Sequence, residues 1–214
     1  MALHVLLRDP DYDVVALLTT VTEGYERISM HGVRSELLRR QAESIGLPVE
    51  EVRIPQQCSN TIYEARIAEA VLRSRERGIY HIAFGDIFLE DLRAYRENKL
   101  SRVNMTALFP LWKVATRELA TRFLNDGFRA VTVCIDPGKL ASRFAGRELD
   151  AAFFRDLPPD VDPGGENGEF HTFVFDGPIF RSPVPVQVGK VVVRDSFVFC
   201  DLLPRPGSAA FKPA

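Results

Sequence analysis

This chain carries no excess of either charge, no cysteine framework and no long apolar run, and each absence removes a class of function. Lys and Arg number 27 against 29 Asp and Glu, a formal net charge of -2, so there is no global basic field. Phosphate neutralisation supplies most nucleic-acid affinity, which disfavours nucleic acid as the main partner. The three cysteines, Cys58, Cys134 and Cys200, are odd in number and far apart. They fit reduced thiols in a cytoplasm better than a disulfide scaffold, and no pair has zinc-ligand spacing. The apolar residues Ala2 to Leu7 are cut short by Arg8-Asp9-Pro10, too few for a signal peptide or a membrane span, so the expectation is a soluble cytoplasmic protein. The most legible catalytic loops are missing too. No nucleophile elbow, no G-x-x-x-x-G-K-[ST] phosphate loop and no G-x-G-x-x-G dinucleotide turn follows an early strand.

What is present is a chain of 214 residues, 46% hydrophobic, enough for one substantial core or a core with a small lobe. Ala2 to Arg8 reads as the tail of a helix stopped by Asp9-Pro10. The continuous apolar run Asp13 to Val21 reads as a strand buried on both faces. Helices follow over Val33–Ala42, Ile62–Arg77 (capped by Asn60), Gly85–Leu100 and Ala115–Asn125. Strands alternate with them at Glu50–Ile54, Tyr80–Phe84, Thr106–Phe109 and Arg129–Ile135. That alternation predicts α/β architecture, a parallel sheet with helices on both faces, over residues 1–140. From Phe170 the pattern turns to strands alone, at Phe170–Phe175, Val184–Val193 and Phe197–Leu202. They predict a small C-terminal antiparallel β appendage over 141–203, followed by a loose flexible tail over 204–214.

In a parallel sheet ligands bind beyond the carboxyl ends of the strands, here at Thr19-Thr20, Gly85-Asp86 and Cys134-Ile135-Asp136. Gly85 lets a ligand approach the backbone, and a helix opened there presents free N–H groups to an anion. Asp86, Glu90, Arg93 and Glu97 then share one helix face, where a solvated ion-paired surface is the plainer account of Glu90. Arg27 to Gly32, with Ser29, His31 and the following Arg34, offers either an anion grip or a simple helix cap. Gln56 to Asn60 reads as capping, and Cys134 as a small buried hydrophobe. The stretch Asp162-Pro163-Gly164-Gly165-Glu166-Asn167-Gly168-Glu169 is either an Asn-Gly turn entering a strand or a binding loop. His171 and Glu169 alternate onto one strand face, but two ligand types without a third are a weak metal signal, and none is assigned.

Five motifs stand together in one order: Val15 to Thr20, Arg27 to Arg34, Phe84 to Asp91, Leu108-Phe109-Pro110-Leu111-Trp112 and Gly165 to Phe173. With them the chain resembles the diphthine–ammonia ligase (diphthamide synthase) family of the adenine-nucleotide alpha-hydrolase-like, PP-loop ATP pyrophosphatase superfamily, over nearly its whole length to about Leu203. The resemblance implies a Rossmann-like sheet and an ATP-dependent amidation with ATP, and magnesium, as cofactors. A carboxylate becomes an acyl-adenylate, pyrophosphate leaves, and ammonia attacks to give the amide. In the archetype that carboxylate belongs to diphthine, a modified histidine on a translation elongation factor. The implied cofactor-binding residues are Thr19, Thr20, Ser29, His31, Gly85 and Asp86. The implied catalytic residues are Asp86, Glu166 and Glu169, and the implied substrate side comprises Glu97, Asn167, Gly168 and His171. ATP-dependent RNA modification, another activity of PP-loop relatives, is disfavoured by the neutral charge balance.

The resemblance also has a gap. Members of the family begin with a buried strand and a serine-glycine-glycine-lysine-aspartate-serine loop that cradles the ATP phosphates, and neither precedes Met1-Ala2-Leu3-His4. The expectation is that Met1 is internal to a longer reading frame; the competing account is a degenerate, inactive relative. Losing about three charge-assisted hydrogen bonds would cost roughly 5–9 kcal/mol of phosphate binding. Loss of a central strand would further expose the flanks of its neighbours.

Overall fold

The computed structural model describes residues 1–206. Within it the chain is α/β, but its strands form three separate groups. Strand β1 (Leu17–Thr22) pairs in parallel with β3 (Val49–Ile54) and antiparallel with the two-residue β2 (Arg27–Ile28). Strand β4 (His81–Ala83) pairs in parallel with β5 (Thr106–Leu108). Strands β6 (Arg129–Ile135), β7 (Phe170–Asp176), β8 (Val186–Arg194) and β9 (Phe197–Pro204) make an antiparallel sheet in the order β7-β6-β9-β8. The helices are α1 (Ala2–Leu6), α2 (Ser35–Ile45), α3 (Asn60–Glu76), α4 (Glu90–Ser101), α5 (Thr116–Asn125) and α6 (Ala151–Asp156).

The largest correction to the sequence reading concerns β6. It was expected in the parallel set and instead lies inside the antiparallel sheet, paired with β7 and β9. The run Ala130 to Ile135 is buried throughout because both faces of the sheet are covered around β6, while the edge strand β8 is largely exposed. Val131 and Val133 pack with Leu37 of α2, Phe173 and Leu202 on one face. Ala130 and Ile135 pack with Phe144, Phe153 and Phe170 on the other. A strand covered on both sides reads as continuously apolar whether its neighbours are parallel or antiparallel. The sheet is therefore a main core of the protein, since each fully buried Phe or Leu contributes about 1.5–3 kcal/mol.

Other boundaries shift for local reasons. β1 begins only at Leu17, and Asp13 to Ala16 find no ladder partner. Helix α4 begins at Glu90, leaving Gly85 to Leu89 as a loop. Ser59, one residue before Asn60, caps α3 by accepting from the Ile62 N–H at 3.3 Å. β9 runs through Pro204, and residues 207–214 of the expected tail lie outside the described residues.

The two parallel pairs do not join. Between them lies a cavity of about 410 Å3 lined by Ala16 and Leu18 on one side, His81 and Ala83 on the other, and Leu3 and Leu6 of α1. Tyr80 O accepts from Thr106 N and Phe84 N donates to Leu108 O, which fixes the alternation along β4. The main-chain groups of His81 and Ala83 therefore point away from β5, into this gap. We expect the His81 and Ala83 amides to exchange with deuterium at least a hundredfold faster than those of Thr132 and Val133. Equal protection would show that the gap is closed in solution.

Candidate functional site

The Asp162–Glu169 loop is built around its own carboxylates. Asp162 Oδ2 accepts from the N–H groups of Gly164 and Glu166 at 3.1 and 3.0 Å. Glu169, 3% exposed, accepts from Asp162 N at 3.0 Å, Asn167 N at 2.9 Å and Asn167 Nδ2 at 3.1 Å. Burial pushes the Glu169 proton affinity up, but these donors outweigh it and hold the group below the usual carboxylate range. Gly165 sits at φ +67°, where a Cβ would stand 2.7 Å from Phe170 O, so no larger residue fits that turn. Lys139 Nζ reaches over to Asn167 O at 2.7 Å. Asn167-Gly168 is thus part of a self-closed loop ahead of β7 and joins no hairpin.

This frame aims Glu166 outward at the end of β4. Glu166 Oε1 accepts from the Ile87 N–H at 2.6 Å. Burial, opposed by that bond and reinforced by nearby Asp86, raises its proton affinity above the usual value. Asp86 is 8% exposed and held by Arg96, with Nε 2.9 Å from Oδ2 and Nη2 3.2 Å from Oδ1. The expected helix N-terminus at Gly85-Asp86 is absent, and the Ile87 N–H it would have offered an anion is taken by Glu166. Gly85 faces open space. Ile87 O in turn accepts from Lys113 N at 2.7 Å, tying the loop after β5 to the same point.

A second group lies at the end of β1. Thr20 O accepts from Ser29 N at 3.0 Å, and the Ser29 hydroxyl pairs with that of Thr22 at 3.0 Å. Neither Ser29 nor His31 caps α2, whose N-cap is Arg34. Arg27 and Arg34, read as an anion grip, both bind Asp201 of β9, at 2.9 and 2.6 Å. The His31 and His171 rings meet at 4.5 Å between centroids. Burial, and then His31, pushes His171 down to about 4, and burial lowers His31 as well.

The structure thus brings Asp86, Glu166, Asn167, Gly168 and Glu169 together, and separately Thr20, Ser29, His31 and His171. Thr19 falls on the opposite face of β1 from Thr20 by alternation. Glu97 is exposed and paired with Arg93 at 2.8 Å. Asp86, off the helix, does not share the α4 face with Glu90, Arg93 and Glu97. Sequence reasoning missed Arg96 and Asp162; the i, i+3 spacing of Arg93 and Arg96 on α4 was the available signal for the first. Among the described residues no three His, Cys, Asp or Glu side chains converge as a metal would require.

Residues 115–202 match the family described as diphthamide synthase C-terminal domain. The chain is 22% identical over 183 residues to a diphthine--ammonia ligase of Rattus norvegicus, covering 83% of this chain and 68% of the relative. It is 22% identical over 187 residues to the Homo sapiens protein of that name, with the same coverage. A Schizosaccharomyces pombe diphthine--ammonia ligase is 25% identical over 125 residues, 56% of this chain and 21% of that relative.

The His31–His171 contact makes a pH prediction. The unfolded His171 titrates near 6.5 and the folded one near 4, so the unfolded chain binds the proton first as pH falls. Stability present above pH 6.5 should decline toward pH 4 by about 2 kcal/mol, as followed by urea unfolding. In His171→Phe at least half of that decline should vanish; an unchanged slope would refute the assignment.

Proposed function

We propose that the chain, similar to diphthine–ammonia ligases over most of its length, acts as an ATP-dependent ligase converting a carboxylate to its amide with ammonia. The acceptor in this reading is diphthine, a modified histidine of a translation elongation factor. The carboxylate oxygen attacks the α-phosphorus of ATP and pyrophosphate leaves. Ammonium gives a proton to Glu166, the freed ammonia attacks the acyl carbon, the attached nitrogen loses its excess proton to water, and AMP departs. We also read the two parallel pairs as flanks of a Rossmann-like nucleotide-binding sheet, and the free cysteines as those of a cytoplasmic protein. Among the described residues no helix is long and apolar enough to cross a membrane.

The observation carrying the reading is the pairing of Glu166 and Glu169 in one loop. Glu169 is buried and accepts three hydrogen bonds from its own loop, so its role here is to position the loop. Glu166 spends one oxygen on Ile87 and has a raised proton affinity, which brings it closer to that of ammonium. It sits beside Asp86, whose charge also favours a bound cation. Asp86 is ion-paired with Arg96, with Oδ2 left without a hydrogen bond, and magnesium is assigned to the ATP phosphates, without a protein cage. Thr20, Ser29 and His31 are assigned to the nucleotide side.

The test uses the protein isolated from its native cell, given ATP, magnesium, ammonium and a diphthine-bearing acceptor. Glu166→Gln should slow amide formation by about 10²–10⁴-fold, the usual loss of a general base, while carboxylate-dependent ATP–pyrophosphate exchange changes less than about threefold. An equal loss in both would move Glu166 out of the ammonia step. Absence of exchange with every carboxylate would sink the ligase reading. Glu169→Gln should instead lower stability by about 1–3 kcal/mol, since buried donors lose a charged acceptor.

A further inference from the structure

Beyond the Glu166 loop, the carboxyl ends of β4 and β5 carry an arrangement of arginines and aromatic rings that the reaction above leaves unused. Phe84 follows β4 and Phe109 follows β5, and their rings stack at 5.7 Å between centroids. Trp112 meets Phe109 at 5.8 Å. The Arg93 guanidinium lies 4.6 Å over Trp112 and 5.0 Å over Phe109, and that of Arg96 lies 4.2 Å over Phe84. Stacking fixes the plane of each guanidinium and leaves its edges as the donors.

Those edges are only partly occupied. Arg93 bonds Glu97 through Nε, and Arg96 bonds Asp86 Oδ1 through Nη2, while its Nε lies 2.9 Å from Asp86 Oδ2 without a hydrogen bond. Both Nη groups of Arg93 and Nη1 of Arg96 have no hydrogen-bond partner among the described residues. At spacing i, i+3 the two cations share one face of α4, which costs stability unless something offsets the repulsion. Glu97 and Asp86 offset part of it. The unfilled donors are a fork suited to one planar or tetrahedral oxyanion.

We propose that Arg93 and Arg96, set on the Phe84–Phe109–Trp112 rings, form an oxyanion-binding subsite beside the Glu166 loop. In the ligase reading, on which this rests for its meaning, the oxyanion is the acceptor carboxylate or a phosphate of the nucleotide. A purely structural role, pinning α4 to the sheet, needs the ring contacts but not the free edges. The weak apolar anchoring of α4, where only Leu100 is buried, makes that role a real competitor.

The protein holds one tryptophan, so its fluorescence reports on Arg93 directly. The test titrates the full chain with inorganic pyrophosphate, and separately with glutarate, at ionic strength held constant with sodium chloride. A saturable change in Trp112 emission is expected with at least one. Saturation by pyrophosphate alone assigns the nucleotide as source, by glutarate alone the acceptor, and by both the shared oxyanion chemistry. Arg93→Gln, exposed enough to fold, should weaken binding at least about tenfold, and Arg96→Lys should do the same. Arg66→Gln, on exposed α3, should leave it unchanged. No saturable change with either probe, or equal affinity in Arg93→Gln, would overturn the proposal. Binding needs no turnover, so its failure leaves the ligase reading standing, and an inactive ligase leaves this result intact.

Discussion

The buried carboxylate of Glu169 is the constraint on which the candidate site depends. It takes up the N–H groups of Asp162 and Asn167 and the Asn167 amide, each of which would otherwise be unpaired inside the loop. Removing a charged acceptor from buried donors costs about 1–3 kcal/mol, so the loop has one favourable closure. That closure, with Asp162 binding Glu166 N, fixes where the Glu166 side chain starts. From there Glu166 reaches Ile87, and Ile87 reaches Lys113. The C-terminal sheet, the end of β4 and the loop after β5 meet through this chain of bonds.

Stability and chemistry are divided between the two halves. The antiparallel sheet is sealed on both sides around β6, whereas β4 leaves His81 and Ala83 exposed and packs only a few residues. A site built on the second alone would move with its strand. Glu166, delivered from the loop before β7, borrows rigidity from the better core. Asp201 does the same for the β1 side by holding Arg27 and Arg34 on β9. The unpaired edges between the parallel pairs are the weak point of the architecture, since edge strands leave a row of main-chain donors and acceptors open.

Much of this was legible in residue order. The α/β class, the helices from α2 to α5 and the all-strand C-terminus follow from periodicity, and the Gly165–Glu169 loop announced itself by composition. What was not legible has physical causes. Burial on both faces hid the antiparallel partners of β6, because Val131, Cys134 and Ile135 look alike in either sheet type. Arg27 and Arg34 looked like an anion grip, and an anion grip they are, but their anion is Asp201, 167 residues away from Arg34. Arg96 escaped notice because its meaning lies in a loop residue, Asp86, that sequence spacing had placed on the same helix. Local pattern fixes which groups are available; only the tertiary fold decides which of them are spent on one another.

Glu166 and Glu169 make that distinction sharpest. They are three residues apart in one loop, and as sequence they are equivalent carboxylates. In the structure burial raises the proton affinity of both, and the groups around each carboxylate separate them. Glu169 is more deeply buried yet held below the ordinary range, since three donors stabilise its charge. Glu166 is less buried yet raised, since burial and the Asp86 charge outweigh its backbone bonds. A pair of like groups pushed apart in proton affinity is how one fold assigns a fixed charge to one and proton transfer to the other. The order of the two roles follows from the three donors that stabilise the Glu169 charge and from burial and the Asp86 charge at Glu166. The loop that looked like a single binding motif is therefore a scaffold carboxylate and a working carboxylate, and the first exists to aim the second.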